Sequence, residues 1–82
     1  MSVRELTLLS RSYCHLCEDM RQALETVPAR KRFSIKVVDV DEHPALEERY
    51  GILVPVLLDG EVEICHYHLD PAKLAAHLAA IE

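Results

Sequence analysis

The order apolar run, cysteine pair, amphipathic run near the N-terminus most constrains how this chain can fold. Leu6, Leu8 and Leu9 make residues 5–10 read as a strand. Leu16, Met20, Leu24 and Val27 then recur at steps of four, four and three, the spacing of one helix face. Pro28 ends that helix. Between the two runs, after the loop Arg11-Ser12-Tyr13, stand Cys14-His15-Leu16-Cys17. A thiol at a helix N-terminus meets unpaired N–H groups and a partial positive charge. One helical turn brings the residue three further on back beneath it. The placement suits dithiol–disulfide chemistry, in which Cys14 forms a thiolate and Cys17 attacks the mixed disulfide that follows. The same spacing is also half of a zinc site.

The remaining chain alternates strand and helix. Residues 33–40 read as a strand, rich in the β-branched Ile35, Val37, Val38 and Val40. The adjacent Val37-Val38 pair predicts cover on both faces. Asp41-Glu42-His43-Pro44 reads as a helix start, and Gly51 is a stop just after Tyr50. Residues 52–58 are apolar apart from Pro55, which belongs at a strand start or edge. Asp59-Gly60 reads as a two-residue hairpin turn before a return strand over 61–67. Asp70 as N-cap and Pro71 at the first helical position open a last helix, with Leu74, Leu78 and Ile81 as its stripe. The expectation is one domain over 1–82, an α/β fold of order β-α-β-α-β-β-α. The first strand pair should be parallel, the last antiparallel, in a mixed four-stranded sheet flanked by three helices.

Composition narrows the functions. The chain has 82 residues, half of them hydrophobic, and a formal net charge of -5. An acidic balance argues against nucleic acid as partner. No run approaches the roughly 20 apolar residues that span a bilayer, so no membrane is expected. Residues 1–10 carry Arg4 and Glu5 and lack a leader pattern. Three cysteines, an odd number, do not make a secreted disulfide scaffold. The reading is a cytoplasmic protein, expected to be a monomer.

The Cys-x-x-Cys pair, Val37-Val38-Asp39-Val40-Asp41-Glu42, Tyr50-Gly51-Ile52, Val54-Pro55-Val56 and Asp59-Gly60-Glu61-Val62 together resemble the thioredoxin superfamily. The order and spacing cover nearly the whole chain, which is similar to the small glutaredoxin-like proteins of bacteria. The resemblance implies a thioredoxin-like fold and a thiol-disulfide oxidoreductase, with Cys14 as nucleophile and Cys17 as resolving thiol. It implies a cis Pro55 beside the cysteines and a Val54 backbone that pairs with an extended substrate. Tyr13 stands where thioredoxins carry a tryptophan. Arg11 stands where glutaredoxins often place a basic residue for glutathione, and Asp70 matches an acidic residue at a helix start. Substrate-binding candidates are therefore Arg11, Tyr13, Val54, Pro55 and Asp70. No tightly bound cofactor is implied. The partners implied are a disulfide-containing protein or a small thiol, with glutathione or a reductase as electron donor. Relatives of this kind have potentials roughly between -180 and -270 mV. The chain departs from glutaredoxins in His15-Leu16, in lacking a Gly-Gly after the hairpin, and in Pro71.

Two other readings compete. Cys14 and Cys17 with Cys65, His66 and His68 are zinc ligands by type, and an iron–sulfur cluster falls in the same class. Alternation along a strand turns Cys65 away from both histidines. The fold could also serve as an interaction module whose cysteines do no chemistry. Cys65 is expected to be a small buried hydrophobe. His43 and His77 read as helix-surface residues, and Asp39 and Asp41 as strand-end and cap residues.

Overall fold

Residues 3–81 are described in the computed structural model; Met1 and Ser2, part of the segment read as lacking a leader, lie outside them. The elements are β1 (Arg4–Ser10), α1 (His15–Glu25), β2 (Phe33–Asp39), α2 (Pro44–Tyr50), β3 (Val56–Asp59), β4 (Val62–His66) and α3 (Pro71–Ala80). Short 3-10 turns occupy Arg30–Arg32 and Val40–Glu42. The order is the expected β-α-β-α-β-β-α. The sheet runs β2-β1-β3-β4, with β1 parallel to β2 and antiparallel to β3, and β3 antiparallel to β4.

Alternation along the central strands sorts the core into two layers. Leu6 and Leu8 of β1 join Met20 and Leu24 of α1 and Leu74 and Leu78 of α3 on one face. Leu9 joins Val40, Tyr50, Val56 and Leu58 on the other, beneath α2. All four residues of β3 are buried. The strand covered on both faces is therefore β3. β2 lies at the sheet edge, with Val37 51% exposed, so its adjacent valines reflect β-propensity and not two-sided burial.

Several boundaries differ from the sequence reading, each for a local reason. α1 stops at Glu25, where Thr26 takes the C-cap and its hydroxyl donates to the Ala23 carbonyl at 2.9 Å. Pro28 disfavours helical backbone in the residue before it, so the last turn unwinds early. The hairpin turn is Gly60-Glu61, one residue later than expected, because Asp59 pairs with Val62. Positive φ is needed only at Gly60 (62°), the pattern of a type II′ turn. Gly51 does not close α2 in a left-handed cap; its φ is -55°. It is glycine for space, since a Cβ there would stand 2.5 Å from the Glu47 carbonyl oxygen. Ile81 is 39% exposed, and the buried stripe of α3 ends at Leu78.

The shifted turn frees Asp59 to face inward. Its carboxylate accepts from Arg4 Nε at 2.8 Å and from His77 Nε2 at 2.6 Å. His77 is therefore no simple surface residue, and it ties α3 to the ends of β1 and β3. Burial alone would push the Asp59 carboxyl up; hydrogen bonds from His77 and Arg4, and their charges, more than offset this and hold it below its ordinary 3.8. A bulge between Leu57 and Leu58 leaves Ile64 and Cys65 consecutive and both buried in the α1–α3 layer. Cys65 is the buried hydrophobe expected, and burial raises its thiol pKa.

Candidate functional site

The central strand β1 ends at Ser10 and delivers the loop 11–14 to the N-terminus of α1. Cys14 is the N-cap residue of α1, in extended backbone, and its Sγ accepts the Cys17 N–H at 3.2 Å. Cys14 and Cys17 form a disulfide, with their Cα atoms 5.2 Å apart. Cys14 is half-buried, whereas Cys17 is only 5% exposed. The two sulfurs thus differ in access. An incoming group reaches Cys14 first, and Cys17 lies behind it. When the bond opens, charge on Cys14 meets an N–H already aimed at it and the helix N-terminus. Glu18, the acidic residue in the first turn, is held by Arg21 (Nη2–Oε1 2.6 Å) and by Gln22 (3.2 Å). These hydrogen bonds lower its pKa and spend part of its charge locally.

The other expected site residues fall into two groups. Val56 pairs with Leu9, so Val54-Pro55 arrives at the sheet end where β1 gives way to the cysteine loop. The Val54–Pro55 bond is cis, as the resemblance implies. Tyr13, beside Cys14, is fully exposed and holds a left-handed φ of 63°. Arg11 is committed elsewhere. Its Nε donates to Asp41 at 3.1 Å and its Nη2 to Glu47 at 3.2 Å, so it fastens the cysteine loop to α2. Asp70 caps α3 by accepting the Lys73 N–H at 3.1 Å. Asp39 ends β2 as expected, and the capping carboxylate is also that of Asp39 and not of Asp41: it accepts the Asp41 N–H at 2.9 Å.

Tyr67 is a residue that sequence reasoning missed. Its backbone N–H donates to the Pro55 carbonyl at 2.9 Å, and its hydroxyl donates to the Ile52 carbonyl at 3.1 Å. It thereby clamps residues 52–55 at both ends. Its φ is 65°, a conformation that costs a bulky residue on the order of 1 kcal/mol. No local pattern marks Tyr67, because the carbonyls it holds lie 12 and 15 residues back in the chain. Ile52, 88% exposed, adds an apolar group to this rim.

The second grouping of metal-type residues does not assemble with the first. Cys65 faces the core, while His66 bonds Glu63 at 3.0 Å and packs edge-on against Tyr67. Among the described residues no three His, Cys, Asp or Glu side chains converge as a metal cluster. Among the same residues, no helix is long and apolar enough to cross a membrane.

Residues 5–79 match the family model described as "Glutaredoxin-like domain (DUF836)". An uncharacterised protein of Mycobacterium tuberculosis is 31% identical over 96% of this chain and 87% of its own length. A solution structure of a Nitrosomonas europaea protein superposes with a TM-score of 0.80 at 34% identity, covering 94% of this chain and 93% of that one. A crystal structure from X. campestris gives 0.71 at 36%, covering 92% and 96%. Thioredoxin 1 of Thermosipho africanus gives 0.60 at 21% identity over 94% and 97%, a likeness of fold.

Proposed function

This chain belongs to the glutaredoxin-like domain family, and we propose that it is a thiol–disulfide oxidoreductase working through Cys14 and Cys17. The observation that carries this reading is the Cys14–Cys17 disulfide at the head of α1, with Cys14 Sγ as the cap and Cys17 buried behind it. In the reduced protein the Cys14 thiolate attacks one sulfur of a substrate disulfide. The other substrate sulfur leaves as a thiolate and takes up a proton. Cys17 then gives up its proton and attacks Cys14, releasing the second substrate thiol and restoring the protein disulfide. Two electrons pass to the substrate, and the cysteine pair holds them without a bound cofactor.

Each neighbouring element has a part. The α1 N-terminus and the Cys17 N–H favour the Cys14 thiolate. The Val54 backbone, held by the Tyr67 clamp on either side, offers strand-like hydrogen bonds to an extended disulfide-bearing substrate. Tyr13 and Ile52 supply exposed apolar contact beside it. Arg11 orders the loop through Asp41 and Glu47. Asp70 acts by capping α3. The working partners are a disulfide-containing protein and a donor of reducing equivalents, glutathione or a reductase, in a reducing compartment such as the cytoplasm.

The test is reduction of a protein disulfide, run in parallel with glutathione plus its reductase and with thioredoxin reductase. Cys14→Ser should abolish turnover, and Cys17→Ser should accumulate mixed disulfides visible by mass spectrometry. Wild-type turnover by Cys14→Ser would overturn the assignment. Inactivity of the native protein in both arms, with thiols that never oxidise, would favour the interaction-module reading.

A further inference from the structure

The sheet has two edges, β2 and β4, and they differ in how they would receive another strand. β2 pairs only with β1, which leaves the backbone groups on its other side open. The Phe33 carbonyl takes Arg30 Nη1 at 2.7 Å; among the described residues no other bond from outside the sheet reaches the backbone of 34–39. A bare edge of this kind is a template for a further strand. Ile35 is only partly buried and Val37 is 51% exposed, so apolar surface lies along it.

The two flanks of β2 carry opposite charge. Arg30-Lys31-Arg32 precede the strand, and Asp39, Asp41 and Glu42 close it. A second copy running antiparallel brings the basic flank of each chain against the acidic flank of the other, twice about a two-fold axis. Lys31 and Glu42 are both exposed and have no ion-pair partner among the described residues, so their charges are unspent. Parallel pairing would instead set like charges together. β4 lacks this self-complementarity. Glu61 and Glu63 lie along it, and residues 60–70 hold no Lys or Arg.

We propose that two copies of this chain pair through β2, antiparallel about a two-fold axis normal to the sheet, and join their four-stranded sheets into one. Such an axis matches residues of the same face. Centred on Val37, it sets Val37 against Val37, Lys36 against Val38 and Ile35 against Asp39. Centred on Lys36, it would oppose two ammonium groups directly, which is destabilising. In the Val37 register Lys31 falls one residue from the second copy's Glu42, within reach of two long side chains. Antiparallel strands send the two Cys14–Cys17 pairs to opposite ends, so each stays open to its own substrate. Val37 also lines a cleft of about 520 Å³ beside the disulfide, with Leu8, Cys14 and Arg21, and the second copy's Val37 walls that cleft on its β2 side.

The association is weak. The net charge of -5 opposes it, and two short strands bury less than the roughly 1,200–2,000 Å² of a stable interface. A Kd on the order of 0.1 mM follows, so the monomer expected from the sequence is the species at low concentration.

Sedimentation of the oxidised protein from about 10 µM to about 1 mM should show the mass rising from one chain toward two. Amide shifts that follow the same concentration dependence should centre on 34–39. Each exposed ion pair is worth roughly a factor of 2–5 and occurs twice, so Lys31→Glu and Glu42→Lys should each weaken association at least about fivefold. An equimolar mixture of the two variants restores both opposite-charge contacts and should associate within about twofold of wild type. That recovery also shows both variants to be folded. Glu42→Lys lowers the net negative charge, so association as tight as wild type by this variant would mean that only overall repulsion matters, and would overturn the proposal. So would a monomer at every concentration, shifts centred on β4 or on Tyr13 and Ile52, a mixture no tighter than either variant alone, or an interchain disulfide on a non-reducing gel. The pairing is independent of the redox reading, and neither result bears on turnover.

Discussion

Removing the Asp59 carboxylate should cost this protein a large share of its stability, although the residue sits at a hairpin end far from the cysteines. Asp59 is 7% exposed and accepts from His77 at 2.6 Å and Arg4 at 2.8 Å. A hydrogen bond to a charged group contributes about 1.5–3 kcal/mol. The His77 bond takes that full range, because the His77 side chain is itself 19% exposed. The Arg4 bond contributes at most about 1 kcal/mol, because that side chain is 51% exposed and solvent screens it. Asp59→Ala should therefore destabilise by about 1.5–4 kcal/mol, out of the roughly 4–12 kcal/mol expected of 82 residues. For a domain of this size that lowers Tm by roughly 10–25 °C. His77→Ala should cost about 1.5–3 kcal/mol and Arg4→Ala at most about 1 kcal/mol. Urea unfolding of the oxidised proteins, followed by circular dichroism at constant m, measures each difference. The double variant should show a coupling of about 1–2 kcal/mol between Asp59 and His77. Additive effects, or a His77→Ala cost below about 0.5 kcal/mol, would show that α3 is held by its apolar stripe and not by this contact.

The same carboxyl sets a pH dependence. Its folded pKa is depressed, so its contribution is fully present above the ordinary 3.8 and is lost as pH falls through the folded value. Urea midpoints measured from pH 6 down to pH 2 should fall more steeply for wild type than for Asp59→Asn. Gly51→Ala should lower stability by about 1–3 kcal/mol and detach Arg11 from Glu47, because the new Cβ meets the Glu47 carbonyl and Arg11 Nη2; thermal unfolding and the loop amide shifts report it. Tyr67→Phe removes the hydroxyl tie to Ile52 and should cost about 0.5–1.5 kcal/mol. Amide hydrogen exchange across residues 52–55 should quicken with it, and unchanged exchange would dismiss the clamp. In the reduced native protein, iodoacetamide at pH 8 should modify Cys14 rapidly and Cys65 only on unfolding, because burial raises the Cys65 thiol pKa; peptide mass mapping reads the order.

What the sequence determined by itself were the features carried by local pattern. Leu16, Met20 and Leu24 made α1 legible, Asp70-Pro71 the start of α3, and the position of Cys14-His15-Leu16-Cys17 a cysteine pair at a helix head. Helix periodicity, caps and loop length act over a few residues, so they can be read directly from the chain. The tertiary structure decided everything that depends on which strand lies beside which. The edge position of β2 left Val37 exposed, and a one-residue shift of the hairpin turned Asp59 inward onto His77. Pairings 30 and 36 residues apart committed Arg11 to Asp41 and Glu47, and Tyr67 reached back to Pro55 and Ile52. These contacts join residues remote in sequence, whose meeting depends on sheet order and register. Local propensity carries no information about either, so both the clamp on the 52–55 segment and the cleft on the β2 side emerged only from the folded chain.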